Sequence, residues 1–302
     1  MATRSQWIAG ARPRTLPAAV APVLVGTSLA YWQESVDFGA TYFQPAVAFL
    51  ALIVSLALQV GVNYSNDYSD GIRGTDAIRV GPVRLVGQAL AQPKQVKQAA
   101  FISYGIGAVA GLLMVALSHY YLLIPVGIAA IISAWFYTGG KNPYGYAGWG
   151  EVFVFTFFGL VAVIGTYAAQ TKQITLPSVL GAVVCGALST AILVVNNLRD
   201  IPGDTQCGKK TLAVRLGENR TRLFYYLCIA VAFGAAAYLG KICGGPKIAL
   251  LVLLPALEAV KPISIVRSKA KGPKLIPALA GTSRLLLALA IVLSVGICVG
   301  RY

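Results

Sequence analysis

The chain has 302 residues, 57% of them hydrophobic and only 12% charged, with a formal net charge of +15. Soluble domains carry about 25% charged residues, and several stretches here run roughly 18 residues or more without a charge, enough to cross a bilayer's hydrocarbon. This excludes a cytosolic enzyme, a disordered chain, a disulfide-stapled secreted domain and a β-barrel, and leaves an all-α polytopic membrane protein in one domain, 1–302.

Taken in chain order, apolar runs predict nine transmembrane helices, the first at 13–33 and the second at 42–66. The basic residues Arg4, Arg12 and Arg14 flank the start of the first run, which leads into a multi-span chain and reads as a span rather than a cleaved signal. The second run ends in NYSNDYSDGIRGTD (63–76) and opens a long polar connection to about 97. Spans at 98–117 and 120–138 follow, with His119 expected as a surface residue between them. Next comes TGGKNPYGYAGWGE (138–151), dense in Gly and aromatics; Tyr144, Tyr146, Trp149 and the earlier Trp135 read as interface-belt aromatics. Spans at 150–171 and 176–198 lead to NNLRDIPGD (196–204) and a second long polar connection to about 221. The last three spans are expected at 222–240, 248–266 and 283–300. The five cysteines show no pairing or metal spacing and read as small apolar packers.

With the N-terminus inside, 21 of the 25 Lys and Arg fall on cytoplasmic segments, leaving Lys172, Lys241, Lys247 and Arg301 outside. That asymmetry follows the positive-inside rule. It predicts a multi-pass protein of the cell membrane with a cytoplasmic N-terminus and an external C-terminus. The basic excess then orients the chain and touches anionic lipid, and no nucleic-acid partner is expected.

Only ten acids occur in the chain, and Asp67, Asp70, Asp76, Asp200 and Asp204 sit in the two long cytoplasmic connections. Asn63, Asp67 and Asp70 share a helix face at i, i+4 and i+7; Asn196, Asp200 and Asp204 align at i, i+4 and i+8 until Pro202, which is expected to bend or end the helix. Carboxylates about 6 Å apart repel by roughly 3 kcal/mol at an effective dielectric of 20, so such clusters are costly unless cations bind. Hard oxygen donors with Asn beside them suit Mg²⁺, completed by a substrate's phosphates. Arg73, Arg79 and Arg84 follow the first cluster and Lys209, Lys210 and Arg215 the second, a pattern that suits metal plus a diphosphate. An ion-coupled transporter is the competing class, but it would place its acids near the bilayer midplane.

The stretches NDYSDGIRGTDAIRVGP (66–82) and NNLRDIPGDTQCGKKTLAVRLG (196–217) resemble the two aspartate-rich motifs of UbiA-type intramembrane prenyltransferases. ARPRTLPAA (11–19), YTGGKNPYGYAGWGE (137–151) and FFGLVAVIGTY (157–167) are similar to its branch that prenylates 1,4-dihydroxy-2-naphthoate in menaquinone synthesis. The resemblance implies a nine-helix bundle under a cytoplasmic polar cap, with the active site on the cytoplasmic side. It implies Mg²⁺ as cofactor, and polyprenyl diphosphate and 1,4-dihydroxy-2-naphthoate as substrates. Asn63, Asp67, Asp70, Asp76, Asn196, Asp200 and Asp204 match the metal motifs, with Asp67 and Asp200 central to catalysis. Arg73, Arg79, Lys141 and Lys209 are the implied diphosphate ligands, and Tyr137 resembles the tyrosine beside the reacting prenyl carbon. Arg14 is the candidate cation for the acceptor's carboxylate. Other acceptors (4-hydroxybenzoate, homogentisate, haem or a sugar phosphate) stay open.

Overall fold

The computed structural model describes residues 2–74 and 83–300; Asp76 and Arg79 lie outside the described residues. Among the described residues there is no strand. The helices are α1 (Arg4–Gly10), α2 (Pro17–Val36), α3 (Pro45–Ile72), α4 (Pro93–Ser118), α5 (Leu123–Phe136) and α6 (Gly150–Phe155). A π-helical stretch, Thr156–Ile164, joins α6 to α7 (Gly165–Thr171), and α8 (Leu176–Gln206), α9 (Leu212–Leu251), α10 (Ala256–Arg267) and α11 (Ile276–Val299) follow. Pro17, Pro45, Pro93 and Pro177 stand in the first turns of α2, α3, α4 and α8, where a missing amide costs no helical bond.

Among the described residues, six helices are long and apolar enough to cross a membrane, and the pair Arg4–Thr15 and Pro17–Val36, bent by 50°, makes a seventh if taken as one span. The nine expected apolar runs all fall on helices, but not all are full-length. With 14 and 12 residues, α5 and α10 reach only about 21 and 18 Å, short of the roughly 30 Å hydrocarbon core. The break expected between the seventh and eighth runs falls at Gly245, where the backbone leaves helical angles. α9 continues to Leu251, kinked at Gly217 (φ 73°) and at Gly245 (φ 75°), just before Pro246. Those left-handed angles are open to glycine without strain. Pro202 does not end its helix: α8 runs through it to Gln206. The proline removes only one intrahelical bond, in a final stretch already anchored by side-chain contacts.

α8 is the buried centre, packed along α9 and against the π-helical stretch, α11, α6 and α2, while α3 pairs with α4. Small residues permit these close crossings. A Cβ on Gly159 would lie 2.5 Å from the Ala182 carbonyl oxygen and 2.7 Å from Gly186 Cα, and one on Gly26 would lie 2.7 Å from the Val163 carbonyl oxygen.

One end of the bundle is tied by polar side chains between α2 and α8. Asp37 accepts hydrogen bonds from Gln33 (3.1 Å), Tyr42 (2.9 Å) and Gln173 (3.2 Å). Those three bonds, Gln33 foremost, hold its carboxyl below the usual range. Gln44 N–H donates to Gln170 Oε1 at 3.1 Å beside the start of α3. The 28 residues of α3 then carry the chain about 42 Å to the opposite end, where the acidic residues gather.

Candidate functional site

Gln59, Asn63, Asn66 and Asp70 recur every three or four residues along α3, so they share one face. That face lines a cavity of about 610 Å³. α8 brings Asn196, Asn197 and Asp204 to the same cavity, and Lys209 follows just after that helix. Tyr137, Phe153 and Phe157 supply aromatic walls, and residues such as Leu58, Ile128 and Ile131 supply apolar ones.

Lys209 Nζ lies 3.0 Å from Asp70 Oδ1, with both side chains buried. The Tyr146 hydroxyl donates to the same oxygen, and Nζ also stands 4.3 Å from the centroid of the Tyr146 ring. Burial first, then the Asp70 charge, raises the Tyr146 hydroxyl above its ordinary pKa, so it remains a donor at neutral pH. Residues 139 positions apart in sequence are thereby joined at one carboxylate. Asp204 accepts from the Thr211 hydroxyl at 3.5 Å. The two amide hydrogens of Asn63 go to the Ala11 carbonyl (2.8 Å) and Thr15 Oγ1 (3.2 Å), which leaves its carbonyl oxygen as the remaining polar end.

The other expected residues are placed differently. Asp67 is buried but accepts the backbone amides of Leu85 (2.7 Å) and Val86 (3.1 Å), fastening the connection after α3 to the helix. Both oxygens of Asp200 stand 2.7 Å from the Arg199 guanidinium, which also reaches Asn196 Oδ1 at 2.9 Å. Arg73 donates to the carbonyls of Thr138 and Gly140, its guanidinium 5.4 Å from the Tyr146 ring centroid. None of these three lines the cavity, nor do Lys141 and Arg14, which are exposed.

Two expectations are corrected here. Tyr144 and Tyr146, read as bilayer-interface aromatics, line the cavity instead. Their loop is turned inward by the amide of Gly145 on the Tyr137 carbonyl (3.0 Å) and that of Lys210 on the Tyr146 carbonyl (2.9 Å). Trp135 packs into a ring cluster with Tyr68 and Phe101, whereas Trp149 is exposed. His119 is exposed, at the left-handed C-cap of α4.

A model of the UbiA prenyltransferase family matches residues 19–274. The chain belongs to that family. It is 49% identical, over 302 residues covering 100% of this chain and 99% of the relative, to 1,4-dihydroxy-2-naphthoate octaprenyltransferase of Mycobacterium tuberculosis. It is 40% identical to the protein of the same name from Escherichia coli over 229 residues, 74% of this chain and 72% of the relative. Among solved structures, a UbiA homolog from Archaeoglobus fulgidus bound to GPP and Mg²⁺ superposes with a TM-score of 0.67 at 14% identity, over 97% of this chain and 99% of that one. The apo UbiA homolog from Aeropyrum pernix gives 0.66 at 17% identity over 99% of each chain. At such identities the likeness is one of fold.

Polar residues to which sequence reasoning gave no place in the site also line this UbiA-family cavity, namely Gln59, Asn66 and Asn197, together with Arg12 of the N-terminal basic flank and Arg84 of the basic group after the first acidic cluster. Asn66 accepts from the Thr138 hydroxyl at 2.8 Å, and Asn197 donates to Glu151 at 2.9 Å. A signal existed for Gln59, since an amide side chain inside an apolar span is expensive in lipid unless it is used.

Proposed function

We propose that this protein transfers a polyprenyl group from polyprenyl diphosphate to 1,4-dihydroxy-2-naphthoate, releasing diphosphate and CO₂. The observation that carries the reading is full-length identity of 49% to a relative bearing that activity in its name, joined to a cavity that is apolar in its body and acidic at one end. An isoprenoid chain explains the membrane setting, because each buried CH₂ is worth about 0.8 kcal/mol.

Asp70, Asp204 and the Asn63 carbonyl oxygen are hard donors that fit Mg²⁺. Mg²⁺ keeps part of its shell for water and for a substrate's phosphates. When bound, Mg²⁺ neutralises charge growing on the leaving diphosphate. Asp67, Asp76 and Asp200 complete the proposed metal set, and Arg73, Arg79 and Lys141 the proposed diphosphate ligands. Lys209 faces the same mouth and adds a fixed positive charge where the diphosphate departs. The rings of Tyr137, Phe153 and Phe157 face an allylic carbon as it becomes cationic and stabilise it through their π faces. Apolar walls exclude the water that would otherwise capture it. Bond making by the ring carbon replaces the carboxylate: the diphosphate leaves with the C–O electron pair, the carboxylate leaves as CO₂ and returns its C–C electron pair to the ring, and the quinol form of demethylmenaquinone remains.

We place the acidic end in the cytoplasm, beneath a polar cap formed by the connections around residues 83–92, 138–149 and 207–211, with nine crossings, α5 and α10 being short ones. The distribution of Lys and Arg supports this orientation. Purified protein supplied with a polyprenyl diphosphate and 1,4-dihydroxy-2-naphthoate is expected to release diphosphate and CO₂ only with Mg²⁺. No release under those conditions refutes the proposal.

A further inference from the structure

Gln59 sits one helical turn before Asn63 on α3, facing the cavity, and is only 7% exposed. Its Oε1 is buried and has no hydrogen-bond partner among the described residues. The neighbouring bonds determine which end of the amide points where. The Thr15 hydroxyl spends its one proton on the Arg12 carbonyl at 2.9 Å, so it can only accept from others. It does so from Asn63 Nδ2 at 3.2 Å and from Gln59 Nε2 at 3.0 Å. The turn at residues 12–15 therefore locks the Gln59 nitrogen away from the cavity and leaves the oxygen as an acceptor that no described residue satisfies. A buried acceptor left unmade is costly, and such a group in a substrate cavity marks the position of a donor on the substrate.

A prenyl chain has no donor, and a diphosphate offers acceptors only. The aromatic acceptor does carry donors. In a 1,4-dihydroxy-2-naphthoate the 1-hydroxyl is engaged by the adjacent carboxylate, which leaves the 4-hydroxyl free to donate. We propose that Gln59 Oε1 receives the 4-hydroxyl proton and so reads the acceptor ring, with Arg12 and Arg84 on the same cavity lining facing its carboxylate. This inference rests on the naphthoate reading given above. The distance along the helix agrees: four residues at 1.5 Å place Gln59 about 6 Å deeper than Asn63, where a ring would meet a prenyl carbon held at the mouth.

The test compares turnover of 1,4-dihydroxy-2-naphthoate with that of its 4-methyl ether, which cannot donate, in the full-length protein and in Gln59→Met. The wild type is expected to prefer the free hydroxyl in kcat/KM by about 10- to 100-fold, the range for leaving a buried acceptor unsatisfied. Gln59→Met is expected to lose most of that preference while its KM for polyprenyl diphosphate stays within about twofold. A loss that falls equally on both acceptors, or a preference that survives in Gln59→Met, overturns the assignment; either would show a packing role or a bound water instead. Gln59→Glu, which keeps an acceptor oxygen, is expected to retain the preference, and its loss there also counts against the idea. Failure of the wild type to turn over dihydroxynaphthoate at all would refute the proposed function itself, a distinct outcome.

Discussion

Replacing Lys209 by Met removes the cation from a buried carboxylate and leaves nearly the same volume. Nζ stands 3.0 Å from Asp70 Oδ1, and both side chains are at most 7% exposed. At an effective dielectric of 20 that separation corresponds to roughly 5–6 kcal/mol of attraction, partly offset by the desolvation already incurred. Removing one partner of a buried pair costs about 3–5 kcal/mol. The Tyr146 hydroxyl still donates to Asp70, so about 3 kcal/mol, the lower end, is expected. For a chain of this size that is a fall of about 5 °C in Tm. Thermal unfolding of purified Lys209→Met in detergent, monitored by near-UV circular dichroism with and without Mg²⁺, measures it. Millimolar Mg²⁺ is expected to recover much of the loss, because a divalent ion at Asp70 replaces the missing positive charge, and to move the wild type less. A variant that melts with the wild type, or an equal Mg²⁺ shift in both, would show that Asp70 and Lys209 do not form the coupled mouth described here.

Asp67→Ala strips the acceptor from the amides of Leu85 and Val86 at about 1–3 kcal/mol for each group left buried. Faster hydrogen exchange of those amides in the variant is the expected result, and unchanged protection would contradict the tie. Gly159→Ala forces a Cβ to within 2.5 Å of a backbone oxygen of α8 and is expected to destabilise by about 1–3 kcal/mol, read as a lower Tm; an unshifted Tm would mean the two helices separate freely. For Asp37 the folded pKa lies below the ordinary carboxyl value of 3.8. Its ties to Gln33, Tyr42 and Gln173 therefore contribute above that pH and are lost as pH falls through the lower folded value. Acid titration by hydrogen exchange should show this end of the bundle opening in the wild type, with the transition abolished in Asp37→Asn.

Much of the site was legible because it obeys local periodicity. Asn63 and Asp70 lie two turns apart on one helix, and a helical reading of α3 places both on the cavity side. Asp204 and Lys209 were legible for a different reason, as scarce charges beside an apolar run. Asp67 shows where that reasoning stops. Its position on the helix points toward the same site, but its partners are amides 18 and 19 residues away, and no local pattern announces them. Asp200 was equally opaque, since its partner Arg199 is adjacent in sequence and reads as an ordinary orientation signal. Tyr146 could not be told from an interface aromatic, because its inward turn depends on Lys210, 64 positions further on. The helices themselves were found where apolar runs lay. Their lengths were not, because α5 and α10 stop short of a full crossing and α8 continues across a proline.

The π-helical stretch Thr156–Ile164 carries one last implication. One fixed attachment, the Gly159 crossing on α8, falls near its start, and the other, Gln170, which receives the start of α3, lies beyond it. Deleting a single residue inside it would let the backbone relax to an ordinary α-helix with every amide satisfied. Everything downstream, however, would turn by about 100°, swinging Tyr167 away from Gln33, to which it now donates at 3.0 Å. In this segment the residue count sets angular phase more than length, so homologues can vary its side chains far more readily than the number of residues between its two anchors.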